Sequence, residues 1–255
     1  MTSPRSKTSL LPSLLASGLG VSLAASAFAQ PRPAPSTAAG PRARLVFLHA
    51  SHAVRDRAFS AWRSRAPYAP LVSDVAYGRW GLAEVEPGSQ GFAGRLAGME
   101  PPTAARLGAN TGLGSPEAGR TYFVVVTGGS ADRVDTRSHN PPAVDAGAPG
   151  RILGLWQGPT RVDVCASARG APVIPARNLG GTGYMAPLSA PLAGTVSVRA
   201  TAAAGPCAGA VLATFDYRPI GEPEAAFVFG ATDGALQMVA CAESGNGCRA
   251  IRRLP

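Results

Sequence analysis

Lysine is almost missing from this chain. Lys7 is the only one, and every other basic residue is arginine. Histidine is scarce too: three in 255 residues, and none after His139. Aromatic residues make up 6%. Several signatures of chemistry are also absent. There is no H-E-x-x-H and no C-x-x-C, which removes the usual zinc spacings. There is no G-x-S-x-G elbow for a nucleophilic serine. Gly180-Gly181-Thr182-Gly183 lacks the Lys and Ser/Thr that complete a phosphate loop, so these glycines are expected to make a turn. Past the first thirty residues, no run is long and apolar enough to span a bilayer.

The first thirty residues have a pattern of their own. Arg5 and Lys7 precede an apolar run that ends Ala27-Phe28-Ala29 before Gln30. Small residues at 27 and 29 fit signal-peptidase cleavage, and Pro12, Gly18 and Gly20 make the run a poor membrane helix. Residues 1–29 are therefore expected to be a signal peptide, and 30–42, rich in Pro and Ala, a disordered lead-in. Losing Arg5 and Lys7 takes the net charge from +9 to +7. An exported chain with scattered arginines is not expected to meet nucleic acid, and no membrane span is expected after cleavage. The arginine excess has two readings. Drift towards GC-rich codons needs no function. The alternative is a basic surface for an acidic polymer, since guanidinium forks suit carboxylates.

Cys165, Cys207, Cys241 and Cys248 are even in number, which in an exported chain favours disulfides. Three pairings are possible. Asn246-Gly247 favours a tight turn, so Cys241 and Cys248 could clip a hairpin, leaving Cys165 with Cys207.

Strand signals dominate: ARLVFLHA, RTYFVVVTG, GRILGLW, TRVDVCA, GTVSVRA, AVLATFDY, EAAFVFG and ALQMVAC. They are short, rich in Val, Phe and Leu, and bounded by Gly, Pro or Asp. Helical periodicity is weak. The expected fold is all-β: two tandem, Ig-like β-sandwich domains over 43–129 and 150–255, joined by a polar linker at 130–149. A faint internal repeat supports this. Each half opens on an apolar strand and passes a Gly-containing turn, Tyr77-Gly78-Arg79-Trp80-Gly81 or Leu179 to Gly183. Each then has a Pro followed by a Gly that starts a strand, and each closes on a long apolar strand.

Three constellations merit a chemical reading. His49 and His52 invite a metal, but LVFL before them reads as a strand. Alternation then sends positions 49 and 52 to opposite faces, with no third ligand near. His49 is expected to end a strand and donate to a neighbouring backbone carbonyl, with Ser51 starting the turn after it. Ser130, with Asp132, Asp135 and His139, offers a small-hydrolase reading, but chance co-occurrence in a polar loop is the better account. Tyr77, Arg79 and Trp80 cluster on a turn, where aromatic faces could stack on sugar and the guanidinium could pair a uronate. Trp62 and Trp156 could do likewise, although core filling is the commoner role of a Trp.

Phe47 to Ser51, Val162-Asp163-Val164, Tyr77-Gly78 and Ala118 to Val124 resemble secreted bacterial β-domains of unknown function that open on a Val-His-Ala-Ser strand. Val72-Ser73-Asp74-Val75-Ala76, Val85-Glu86-Pro87-Gly88-Ser89 and Glu224 to Gly230, with the two-part layout, look like the AlgF family of periplasmic accessory proteins in alginate O-acetylation. That resemblance implies an exported, non-catalytic accessory or scaffold protein without a cofactor. Its partners would be periplasmic acetyltransferase-complex proteins or an anionic polysaccharide. It transfers no catalytic residue. The alternative is a stand-alone binding module, secreted or at the cell surface, for a glycan or protein.

Overall fold

The computed structural model describes residues 41–64, 69–88, 90–99, 111–130, 133–140, 149–156, 161–168, 171–181, 183, 185–231 and 235–255. The expected signal peptide, most of the lead-in and Asp132 lie outside these residues. The described part is all-β. Its helical content is one 3-10 turn at His52–Val54.

The first half supplies β1 (Ala43–His49), β2 (Phe59–Arg63), β3 (Pro70–Val75), β4 (Trp80–Val85), β5 (Gln90–Leu96), β6 (Thr111–Gly114), β7 (Thr121–Gly129) and β8 (Val134–His139). The second supplies β9 (Gly150–Trp156), β10 (Val162–Ala168), β11 (Ala171–Leu179), β12 (Met185–Pro187), β13 (Gly194–Ala200), β14 (Val211–Tyr217), β15 (Glu224–Gly230), β16 (Gln237–Ala242) and β17 (Cys248–Arg253). Strand β8 falls inside 130–149, the stretch expected to be a linker, and pairs along β7.

Strand order repeats between the halves. The first forms β4-β1-β7-β8 and β3-β2-β5-β6. In the second, β12-β9-β15-β16 and β11-β10-β13-β14 follow the same order, each strand eight places later, joined through β17 into one nine-stranded sheet. The pairing senses match as well: β1 runs parallel to β7, and β9 parallel to β15. At β14–β17 only Phe215↔Arg253 and Asp216↔Arg252 are paired, so the long sheet bends there. Both of its limbs feed one core, with Val196 and Phe215 from one limb meeting Ile152 and Val228 from the other.

Three apolar clusters separate the layers. Phe47, Phe59, Phe92 and Val124 fill the space between the two sheets of the first half. The second half has its own core around Phe215. A third cluster joins the halves: Leu48, Phe123 and Val125 pack on Leu153, Phe227 and Phe229. Alternation explains how a single strand serves two clusters. Along β1, Leu45 and Phe47 face one way, and Val46 and Leu48 the other. Along β15, Ala226 and Val228 oppose Ala225, Phe227 and Phe229. All four central strands are therefore apolar on both faces, as buried parallel strands are.

The disulfides are Cys165–Cys207 and Cys241–Cys248. Cys241 and Cys248 face each other across β16 and β17. Ala242 accepts from Gly245 N–H to close the turn, which Gly245 permits with φ +77°.

A candidate binding site at the Tyr77 turn

The Tyr77 turn and the His49 segment, 28 residues apart in sequence, form one cluster. His49 ends β1, and its backbone N–H donates to Arg79 O (3.1 Å) while its carbonyl accepts from Gly78 N–H (2.8 Å). Arg79 N–H closes the turn on Ala76 O at 2.9 Å. Gly78 is required here. Its φ is +75°, and a Cβ would stand 2.7 Å from Gln237 Oε1.

The side chains converge as well. The Tyr77 ring meets His49 (5.9 Å between centroids), His52 (6.0 Å) and Phe229 (5.6 Å), all edge to face. Phe229 belongs to the second half, so the turn touches both. Strand alternation therefore does not part the two histidines. The strand stops at His49, the chain turns, and both rings reach the same tyrosine. Among the described residues no group of three or more His, Cys, Asp or Glu side chains is placed to hold a metal ion.

His49 is fully buried. Its Nε2 lies 2.9 Å from Arg57 O and donates to it, the backbone contact expected from sequence. Nδ1 is then the bare acceptor, buried without a partner. Burial pulls the His49 pKa below its ordinary value, against the upward pull of the backbone at Arg57 and, more weakly, at Val54. His52 Nε2 accepts from Arg55 Nη1 at 2.6 Å. Ser51 precedes the 3-10 turn, but its hydroxyl caps nothing and is buried without a partner. The Tyr77 hydroxyl is buried without a partner too, and burial raises its pKa against the opposing charge of Arg55.

Of the three expected contact residues, Arg79 is exposed, while Tyr77 and Trp80 are half-buried and pack at the rim of the cluster between the halves. The turn thus carries an exposed arginine between two partly covered aromatic residues in sequence. Trp156 is buried in the second core, and Trp62 lies half-buried on β2. Thr182 of the glycine turn lies outside the described residues; Gly183 N–H donates to Gly154 O.

Ser130 and His139 do not meet. Ser130 is exposed at the β7–β8 turn, where its N–H donates to Arg133 O at 2.8 Å. His139 pairs with Phe123 at the other end of the same hairpin. Seven residues of strand separate 123 from 130, about 23 Å at strand rise. His139 is instead held neutral. Burial, then the charges of Arg151 and Arg137, lower its pKa to about 4.

Sequence reasoning missed three buried polar groups. Arg151 donates from Nε and Nη2 to both oxygens of Glu243 at 2.7 and 2.8 Å, each side chain 12% exposed. Its guanidinium also lies over Phe123 of the first half. Arg249 donates to both oxygens of Glu224, which also accepts from the Tyr217 hydroxyl. Asp163 accepts from Asn178 N–H (3.0 Å), Cys207 N–H (3.0 Å) and Thr201 Oγ1 (3.3 Å). Burial pushes its pKa up, and these bonds outweigh burial and hold it below the usual range. The signal for Asp163 and its neighbour Arg199 was a polar residue at every second place of TRVDVCA and GTVSVRA.

No family model matches this chain, and no curated protein matches it.

Proposed function

We propose that this is an exported accessory protein of two β-sandwich domains, acting as a non-catalytic scaffold in the periplasm during exopolysaccharide O-acetylation. The observation that carries the reading is the duplicated strand order, β1–β8 repeated as β9–β16, which agrees with the two-part layout of the AlgF family. The AlgF-like stretches also fall on structural landmarks. Val72 to Ala76 lead from β3 into the Tyr77 turn, and Glu224 to Gly230 are all of β15. Two disulfides suit an oxidising compartment. Among the described residues no helix is long and apolar enough to cross a membrane.

The test is the acetyl content of the exported polymer in a strain lacking the gene. Reduced acetylation, restored by the wild-type gene, is expected; unchanged acetyl content sinks the proposal. A second reading, a stand-alone glycan-binding module, draws on the exposed Arg79 beside Tyr77 and Trp80 in sequence. A gene for a membrane-bound acyltransferase next to this one favours the first reading, and its absence the second.

A further inference from the structure

The outer face of the second half holds an open depression of about 360 Å³. It is lined by Ser167, Thr195, Ser197 and Arg199, with the Cys165–Cys207 disulfide at its wall. These side chains point outward because their neighbours point inward: Ala166, Val196 and Val198 belong to the core. Register lines them up across strands. Cys165 stands opposite Ser197 and Ser197 opposite Thr214, while Thr195 stands opposite Asp216 and Asp216 opposite Arg252.

Arg199 is fixed and not neutralised by these neighbours. Its Nε donates to Ser197 Oγ at 3.2 Å, and its Nη1 to Cys207 O and Gly209 O, each at 3.3 Å. None of these acceptors is a carboxylate, and Nη2 takes no part in these bonds. Asp163, opposite Arg199 across β10 and β13, spends its carboxylate on Asn178, Thr201 and Cys207. The loop that closes the depression is held by strain-bearing geometry. Cys207 has φ +59°, and Gly209 lies so close to Ala200 O that a Cβ would overlap it. A disulfide and a buried carboxylate keep that loop in place, which is the kind of over-determined backbone found where ligands bind.

We infer that this depression binds an acidic sugar unit of a polysaccharide: Arg199 Nη2 takes the carboxylate, and the hydroxyls of Ser167, Thr195 and Ser197 take the sugar hydroxyls. Two features favour a glycan over an acidic peptide. Among the described lining residues Ala166 is the only apolar aliphatic one, which gives a peptide little to anchor a side chain on. The polar row continues to Asp216 and Arg252, the latter paired at 2.9 Å, as suits an extended chain of repeating polar units. The inference rests on the accessory reading for its choice of polymer.

The test is calorimetric titration of the full mature chain with a uronate hexamer and a neutral glucose hexamer, at low and high salt. Expected are uronate binding that weakens with salt, no binding of the neutral hexamer, and a loss of about tenfold or more in Arg199→Gln. Arg199→Lys, which keeps the charge without the fork, should fall between. A paired Thr195→Val and Ser197→Ala variant, which leaves Arg199 in place, should also weaken binding and covers the case in which Arg199→Gln unfolds. The inference is overturned if the wild type binds no uronate, if it binds both hexamers equally, or if Arg79→Gln abolishes binding while Arg199→Gln does not. Acetyl content separates this inference from the accessory reading. Loss of acetylation on deletion, fully restored by Arg199→Gln, with no uronate binding, sinks the inference alone. Arg199-dependent binding with unchanged acetylation on deletion sinks the accessory reading alone.

Discussion

His49 is a buried imidazole that bonds a carbonyl through Nε2, abuts Tyr77 with its ring and holds the Tyr77 turn through its backbone. Truncation removes the first two and leaves the third. His49→Ala is therefore expected to cost about 2–4 kcal/mol, from lost packing and an orphaned carbonyl. Urea unfolding measures it, and a loss below about 0.5 kcal/mol would mean the ring is not part of the framework. His139 makes a pH-dependent contribution instead. Its pKa falls to about 4 on folding, from an ordinary 6.5. Between those values the unfolded chain binds the proton more readily, so stability is full above pH 6.5 and is lost as pH falls towards 4. Thermal unfolding of His139→Gln should therefore lose less between pH 7 and pH 5 than the wild type; equal losses would place the titration elsewhere, His49 being next in line.

Among the elements, the disulfides should contribute unequally. Cys165 and Cys207 are 42 residues apart, Cys241 and Cys248 only 7. Constraint of the unfolded chain gives about 4 kcal/mol for the first and about 2.5 for the second. Paired Cys→Ser variants compared by guanidinium unfolding should keep that order, and a reversed order would mean that native contacts outweigh loop closure. Which elements could be read from sequence follows from burial. The eight strands legible as apolar runs are β1, β7, β9, β10, β13, β14, β15 and β16, every one interior to its sheet. Among the described residues all six edge strands were illegible, β3, β4, β6, β8, β11 and β12, and so were the interior β2 and β17, whose partly exposed, arginine-bearing runs are not apolar. An edge strand meets water along one side and carries polar residues or proline, as in VDTRSH of β8 and the Pro-interrupted β11. Polarity is why β8 read as linker. Tyr77, Arg79 and Trp80 were legible as a cluster because they are neighbours on one turn. Their contact with His49 and Phe229 was not, since it depends on strand pairing over long separations. Arg199 escaped for the same reason: its surroundings are assembled by register across β10 and β13 and by the loop of Cys207.

At the scale of the whole molecule, the apolar layer between Phe123 and Phe227 makes the halves depend on each other. Calorimetry should show a single unfolding transition, its measured and van't Hoff enthalpies equal. Two resolved transitions would mean that the halves melt independently. Phe227→Ala, at the centre of that layer, should cost about 3–5 kcal/mol and lower that one transition without splitting it. The same layer has a consequence for how the protein is made. Strands β1 and β7 leave the ribosome well before β9 and β15, and both are apolar on both faces. Until the later strands arrive, Val46, Leu48, Phe123 and Val125 have nothing to cover them. Each parallel pair must also wait for a partner more than seventy residues downstream, which slows folding. The half-made chain is thus a sticky intermediate, and its yield depends on how long it is kept from its own copies.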